Sequence, residues 1–149
     1  MDKVFNSRVY FDDGFNCAQS VLSSFSDDLG LDKQTSLKLT TGFGGGFANR
    51  GEICGAVVGA FLVFGLKFGI DNSNDKQNRE KTYQIIDGFE KEFVKNYGSI
   101  KCNELLNIDM SNKKERINAK KNGVFETKCP IFVQKATEIV DKLIKISKK

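Results

Sequence analysis

The reading of this chain turns on Gly42-Phe43-Gly44-Gly45-Gly46-Phe47-Ala48-Asn49-Arg50-Gly51-Glu52-Ile53-Cys54-Gly55-Ala56-Val57-Val58-Gly59. Gly42, Gly44, Gly45 and Gly46 would each cost about 1 kcal/mol relative to Ala inside a helix. They predict a loop with positive-φ positions or close backbone approach. Gly51 and Glu52 then open a helix, with the acidic residue where the dipole favours it, and Cys54 falls in the first turn. Gly55 and Gly59 lie four apart, as do Ala56 and Ala60, so one helix face carries almost no side chain. Another backbone, or a cofactor, can come close there.

The uncharged run from Ile53 to Leu66 is 14 residues long. A membrane span needs about 20, so the run reads as a buried core helix, about 52–68, and no membrane association is expected. The neighbouring segments are helical too. Asp2 caps a first helix with Val4, Phe5, Val9 and Phe11 inward, and Gly14 ends it. Asn16 and Gln19 form a capping box for a second helix, whose Ala18, Val21, Leu22, Phe25 and Leu29 share one face. Gly30 stops it, and Asp32 caps a short third helix leading to the glycine loop.

After the turn at Gly69–Asn74, a long helix from about Asp75 to Tyr97 turns Tyr83, Ile86, Phe89, Phe93 and Tyr97 inward. Gly98 ends it, and Ser99 caps a short helix through Cys102, Leu105 and Leu106. Residues 107–128 are polar and irregular, with one helical turn near Lys113–Ala119. Pro130 suits the first position of the last helix, which buries Phe132, Ala136, Ile139, Val140 and Leu143. No period-two alternation marks a strand. The expectation is one all-α domain over residues 1–149: a bundle of five to seven helices around the central apolar one.

Composition narrows the function classes. The chain has 149 residues and a net charge of +4, with acids and bases interspersed. Its densest basic patch is Lys142, Lys145, Lys148 and Lys149, too little for a nucleic-acid stripe. Met1-Asp2-Lys3 has no apolar run behind it, so no signal peptide is read and a reducing, cytoplasmic setting is expected. Four cysteines there point to reactive or metal-binding thiols rather than structural disulfides. The absence of histidine removes His-based metal sites and Ser–His or Cys–His catalysis.

Cys17, Cys54, Cys102 and Cys129 are the candidate site. Cys17 follows Asn16, Cys54 follows Gly51-Glu52, Cys102 lies three after Ser99, and Cys129 precedes Pro130. Each is placed in or beside the first turn of a predicted helix, where unpaired N–H groups and the dipole stabilise a thiolate. Cys54 is the leading candidate for the reactive or anchoring thiolate, with Arg50 and Asn16 as supporting groups. The separations are 37, 48 and 27 positions, so no pair is CxxC and neither thioredoxin chemistry nor a zinc ribbon has its signature. Four converging thiolates suit an iron–sulfur cluster or, alternatively, zinc. Without metal they can cycle as dithiol and disulfide. Gly44, Gly45, Gly46 and Gly55 leave room for a cofactor beside them, although no Gly-Lys-Ser/Thr follows the loop to make a phosphate cradle. A non-redox alternative is a small-ligand pocket lined by Phe43, Phe47, Phe61 and Phe64.

These residues resemble the redox-active family named for its motif C_GCAxxG_C_C. The matching parts are Asn16-Cys17-Ala18-Gln19-Ser20-Val21-Leu22, the Gly42–Gly46 loop, Cys54-Gly55-Ala56-Val57-Val58-Gly59, Gly98-Ser99-Ile100-Lys101-Cys102 with Leu105-Leu106, and Cys129. The family name orders its central element Gly-Cys-Ala, where this chain reads Cys54-Gly55-Ala56. The resemblance implies a small helical protein whose cysteines form redox or metal sites and exchange electrons with a separate redox partner. It extends to the cysteine region of split-Soret cytochromes. The chain has no CxxCH and no histidine, so no covalent haem carries over. The long amphipathic fifth helix offers a face for pairing in a homodimer.

Overall fold

The computed structural model describes residues 2–147; Met1, Lys148 and Lys149 lie outside it. Among the described residues there are eight α-helices and no strand. They are α1 (Lys3–Asp12), α2 (Cys17–Ser26), α3 (Lys33–Leu39), α4 (Gly55–Phe68), α5 (Lys76–Tyr97), α6 (Cys102–Leu106), α7 (Lys113–Lys121) and α8 (Val124–Ile146). The all-helical expectation holds.

The helix starts follow local chemistry. Asn16 Oδ1 accepts from Gln19 N–H at 2.8 Å while Gln19 Oε1 accepts from Asn16 N–H at 2.8 Å, the reciprocal capping box. Asp2, Asp32, Asp75 and Asn112 each accept from the N–H three residues on. Gly98 closes α5 in the left-handed region at φ 83°.

Helix α4 packs against α2, α5 and α8, and α8 in turn lies against α1, α2, α4, α5, α6 and α7. The centre is thus shared between α4 and α8. Its core holds Val21, Leu22, Phe25, Val57, Phe64, Phe89, Phe93, Val133 and Ile139. Phe61 and Phe64 both meet Phe89 edge-on, at 6.3 and 5.8 Å between ring centroids. They are core residues, not pocket lining.

The bare face of α4 receives another backbone. A Cβ built on Gly55 would stand 3.0 Å from Ala18 N and 3.1 Å from Cys17 Cβ. One on Gly59 would stand 2.8 Å from Val21 Cβ and 3.0 Å from Ala18 O. Small residues at four-residue spacing therefore let α2 seat directly on α4, which sets Cys17 beside the start of α4.

Four boundaries and faces differ from expectation. Helix α4 starts at Gly55 instead of Glu52, because residues 51–53 are taken up by backbone pairing with residues 100–103. On α1 only Ser7 is buried, and Phe5 and Val9 face outward. Tyr83 on α5 is likewise exposed. Helix α8 starts at Val124, six residues before Pro130, so the proline lies inside it. An interior proline forfeits a hydrogen bond and costs about 3 kcal/mol; burial of Val124 and Phe125 against the core offsets this.

Charge is spread and paired. Lys142 donates to Glu92 at 2.6 Å and Lys145 to Asp141 at 3.0 Å, so the described half of the C-terminal basic patch is neutralised locally. No described helix is long and apolar enough to cross a membrane.

The Gly59 contact makes a testable distinction between two helix glycines. Gly59→Ala is expected to destabilise the fold by about 1–3 kcal/mol through overpacking against Val21 and Ala18. Gly88→Ala, on the exposed face of α5 with nothing near its Cβ, is expected to stabilise by about 0.5–1 kcal/mol. Urea midpoints of the two variants against the parent chain check both signs.

Candidate functional site

The segment Gly44–Gly51 is a turn wound in the left-handed sense. Gly45, Gly46, Phe47, Ala48 and Asn49 have φ of 65°, 68°, 68°, 51° and 63° in succession. A left-handed conformation costs about 1–2 kcal/mol for a residue with a Cβ, which Phe47 and Ala48 bear. The turn is held by Asn49 N–H to Gly44 O at 3.0 Å, Gly51 N–H to Gly45 O at 3.0 Å and Glu52 N–H to Gly46 O at 2.9 Å. At Gly46 a Cβ would come within 2.7 Å of Cys102 Cβ and 2.6 Å of Glu52 N, so this glycine allows α6 to close on the loop.

A short antiparallel bridge, Ile53 opposite Lys101, completes the junction. Cys54 N–H donates to Ile100 O at 2.7 Å and Cys102 N–H to Glu52 O at 2.6 Å. Asn103 N–H reaches Gly51 O at 3.2 Å, and Asn103 Oδ1 accepts from Met110 N–H at 2.8 Å. The backbone preceding α4 and the backbone preceding α6 are thereby clamped, with Cys54 and Cys102 on the same side of the fold.

Cys17, Cys54, Cys102 and Cys129 all line one cavity of about 420 Å³. Asn16, Gly45, Gly46 and Gly55 line it with them, whereas Gly44 sits behind, against the Asn16 side chain. Asn16 caps α2 and donates from Nδ2 to the Thr40 and Thr41 carbonyls, both at 3.2 Å, tying the loop to α2. Phe11, Phe125 and Phe132 provide aromatic wall in place of the Phe43, Phe47, Phe61 and Phe64 set expected from sequence. Phe43 and Phe47 pack on each other at 5.5 Å. Arg50 is exposed, donates to Phe47 O at 3.3 Å, and takes no part in the lining.

Three sulfurs keep the helix-start position and one does not. Cys17 and Cys102 are the first residues of α2 and α6, and Cys54 is the N-cap of α4. Cys129 lies in the second turn of α8, because that helix begins well before Pro130. Cys54 and Cys102 are buried, at 5% and 7% exposure, and Cys17 and Cys129 are half-buried.

Electrostatics reorders the thiols. Burial pushes Cys54 up to about 12, against the N–H groups of Ala56 and Val57 that face its sulfur. Cys102 is also pushed up to about 12, by burial and then by the Cys54 and Cys129 charges. Cys17 rises well above the ordinary thiol range, first through its hydrogen bond with Cys129, then through burial and the charges of the other three. Cys129 alone is lowered, because the Cys17 thiol donates to its sulfur and outweighs burial. Of the four thiols, Cys129 rather than Cys54 is therefore the one whose ionisation its surroundings favour.

A profile of the C_GCAxxG_C_C family, described as "putative redox-active protein", matches residues 15–143. The chain belongs to the C_GCAxxG_C_C family. The matched span takes in all four cysteines, from the cap of α2 to the last turns of α8. No curated protein and no solved structure matches the chain.

Within this family member the donor set is thiols alone. A single tetrahedral zinc needs sulfurs about 2.3 Å from one point. Among the described residues no three Cys, Asp or Glu side chains are grouped to hold one ion, so a mononuclear site does not fit the arrangement. The sequence reading missed Arg116 and Lys120 of α7, which supply the cavity's cationic side chains. No motif marks them: α7 is a polar stretch, and only its packing against α8 brings it over the thiols.

At neutral pH, alkylation is expected to label Cys129 first and Cys54 and Cys102 last, read by mass mapping of iodoacetamide adducts over time. Cys17→Ala removes the donor to Cys129, so the pH midpoint of Cys129 labelling is expected to move up. Cys17→Ser, which keeps a donor, is expected to move it less. Unchanged midpoints in both variants contradict the hydrogen-bonded pair.

Proposed function

We propose that this is a redox protein working through the four-cysteine cavity, with Cys17 and Cys129 as its exchangeable dithiol pair. The observation that carries the reading is the meeting of four thiols from four helices on one cavity, where the neighbouring Cys17 lowers Cys129. Sequence separations of 27 to 48 positions give no local reason for such a meeting.

The step is thiol–disulfide exchange. The Cys129 thiolate attacks one sulfur of a partner disulfide, forming a mixed disulfide and releasing the partner's first thiolate. The Cys17 thiol gives up its proton and attacks the Cys129 sulfur. This forms the Cys17–Cys129 disulfide and releases the partner's second thiolate. The partner gains two electrons, which the pair loses, and the one proton of Cys17 passes to one of the two released thiolates. A reducing, cytoplasmic setting would return the pair to its dithiol form.

Cys54 and Cys102 have no part in that exchange, and their burial beside the pair favours a second reading. In it Cys17, Cys54, Cys102 and Cys129 together hold an iron–sulfur cluster, whose chemistry is one-electron transfer. The all-thiol donor set suits it, and binding metal would displace the protons that burial favours on Cys54 and Cys102.

Anaerobic purification followed by iron and sulfide analysis, visible absorption and thiol counting separates the readings. The exchange reading expects colourless protein with four titratable thiols, falling to two after mild oxidation, and a Cys17–Cys129 crosslink in the peptide map. Stoichiometric iron and sulfide with charge-transfer absorption establishes the cluster reading instead. Four unreactive thiols with no metal overturn both.

A further inference from the structure

Part of the cavity lining comes from α7, and that helix's charge is one-sided. The helix reads Lys113-Lys114-Glu115-Arg116-Ile117-Asn118-Ala119-Lys120-Lys121, five cations to one acid. Arg116 and Lys120, one turn apart, line the cavity, and no Asp or Glu does. No ion pair among the described residues involves an α7 cation. Arg116 is half-buried and spends one donor, Nη1, on Met110 O at 2.7 Å. A guanidinium has five N–H donors in a fixed fork, so the others stay available. This hydrogen bond also braces α7 against the segment that Asn103 holds to the α4–α6 junction.

The rest of the lining is mostly apolar and includes Phe11, Leu105 and Phe125. A volume of about 420 Å³ is in the range of small-molecule sites. The combination selects a ligand with a short apolar stem and a carboxylate end.

We propose that the oxidant of the Cys17–Cys129 pair is a low-molecular-weight disulfide carrying carboxylates, held by Arg116 and Lys120 so that its sulfurs face Cys129. The proposal rests on the exchange reading above. The carboxylates are taken by charge-assisted hydrogen bonds, bidentate at Arg116. The disulfide sulfurs then sit on the apolar side, where the thiolate attacks. The exchange balances as already written: one ligand disulfide becomes two thiols and the protein dithiol becomes one disulfide.

Three aliphatic disulfides of similar size test it on the full chain: dithiodipropionate (anionic), hydroxyethyl disulfide (neutral) and cystamine (cationic). Rates of mixed-disulfide formation at Cys129 are read by mass spectrometry. In the parent chain, added salt is expected to slow dithiodipropionate and not the neutral compound. Arg116→Gln with Lys120→Gln is expected to slow dithiodipropionate about tenfold while leaving hydroxyethyl disulfide within twofold. Lys120→Gln alone, at an exposed position with no partner to lose, is expected to give a smaller loss in the same direction. Reaction of Cys129 at rates indifferent to probe charge, to salt and to Lys120→Gln overturns this proposal alone. Silence of Cys129 towards all three probes overturns the exchange reading, and this proposal with it.

Discussion

Contact between backbones that carry no side chain to hold them apart is the constraint on which the rest of this structure depends. Gly55 and Gly59 let α2 press onto α4, and Gly46 lets the start of α6 press onto the loop before α4. Each contact delivers a cysteine: Cys17 by the first, Cys102 by the second. The Ile53–Lys101 bridge fixes Cys54 between them. A methyl group at any of these positions would stand only 2.6–3.0 Å from its nearest neighbour, so the paired elements would have to shift. The left-handed turn at Gly45–Asn49 has the same purpose, and the strain at Phe47 and Ala48 is outweighed by the junction it permits.

The thiols show how burial and helix ends compete. A helix N-terminus stabilises a nearby thiolate, but the effect is confined to the first turn. Desolvation opposes it and grows with depth. Cys54 has both influences and burial prevails. Cys129, away from any helix start, is the one that ionises more readily, because a second thiol is placed to donate to it. A neighbouring donor in a half-buried position does more than a dipole in a buried one. The site thereby divides into a buried pair, Cys54 and Cys102, and a half-buried pair, Cys17 and Cys129.

Helix α7 gives the cavity its sign. It is the most polar of the helices, packs against α8 and holds its position through Arg116 and the Glu115–Asp109 contact. Two of its cations line the same cavity as the four sulfurs. A cavity with two cations and no acid in its lining favours ligands that bring their own carboxylates.

Much of the fold was legible in the residues themselves. Caps at Asp2, Asn16, Asp32 and Asp75, stops at Gly14, Gly30 and Gly98, and the apolar run of α4 are local signals governed by backbone hydrogen bonding and side-chain periodicity. The four cysteines, and the glycines beside two of them, were also visible. What local pattern misjudged was the start of α8, where burial of Val124 and Phe125 carries the helix through Pro130. It also misjudged the outward faces of Phe5, Val9 and Tyr83, since an apolar residue shows its type but not which neighbour covers it. The pairing of Cys17 with Cys129, across more than a hundred residues, and the arrival of Arg116 and Lys120 belong to tertiary structure alone. A sequence records which groups exist and how each short segment bends. Which groups end up close enough to share a proton depends on packing between helices, and that is settled only when all the interfaces form together.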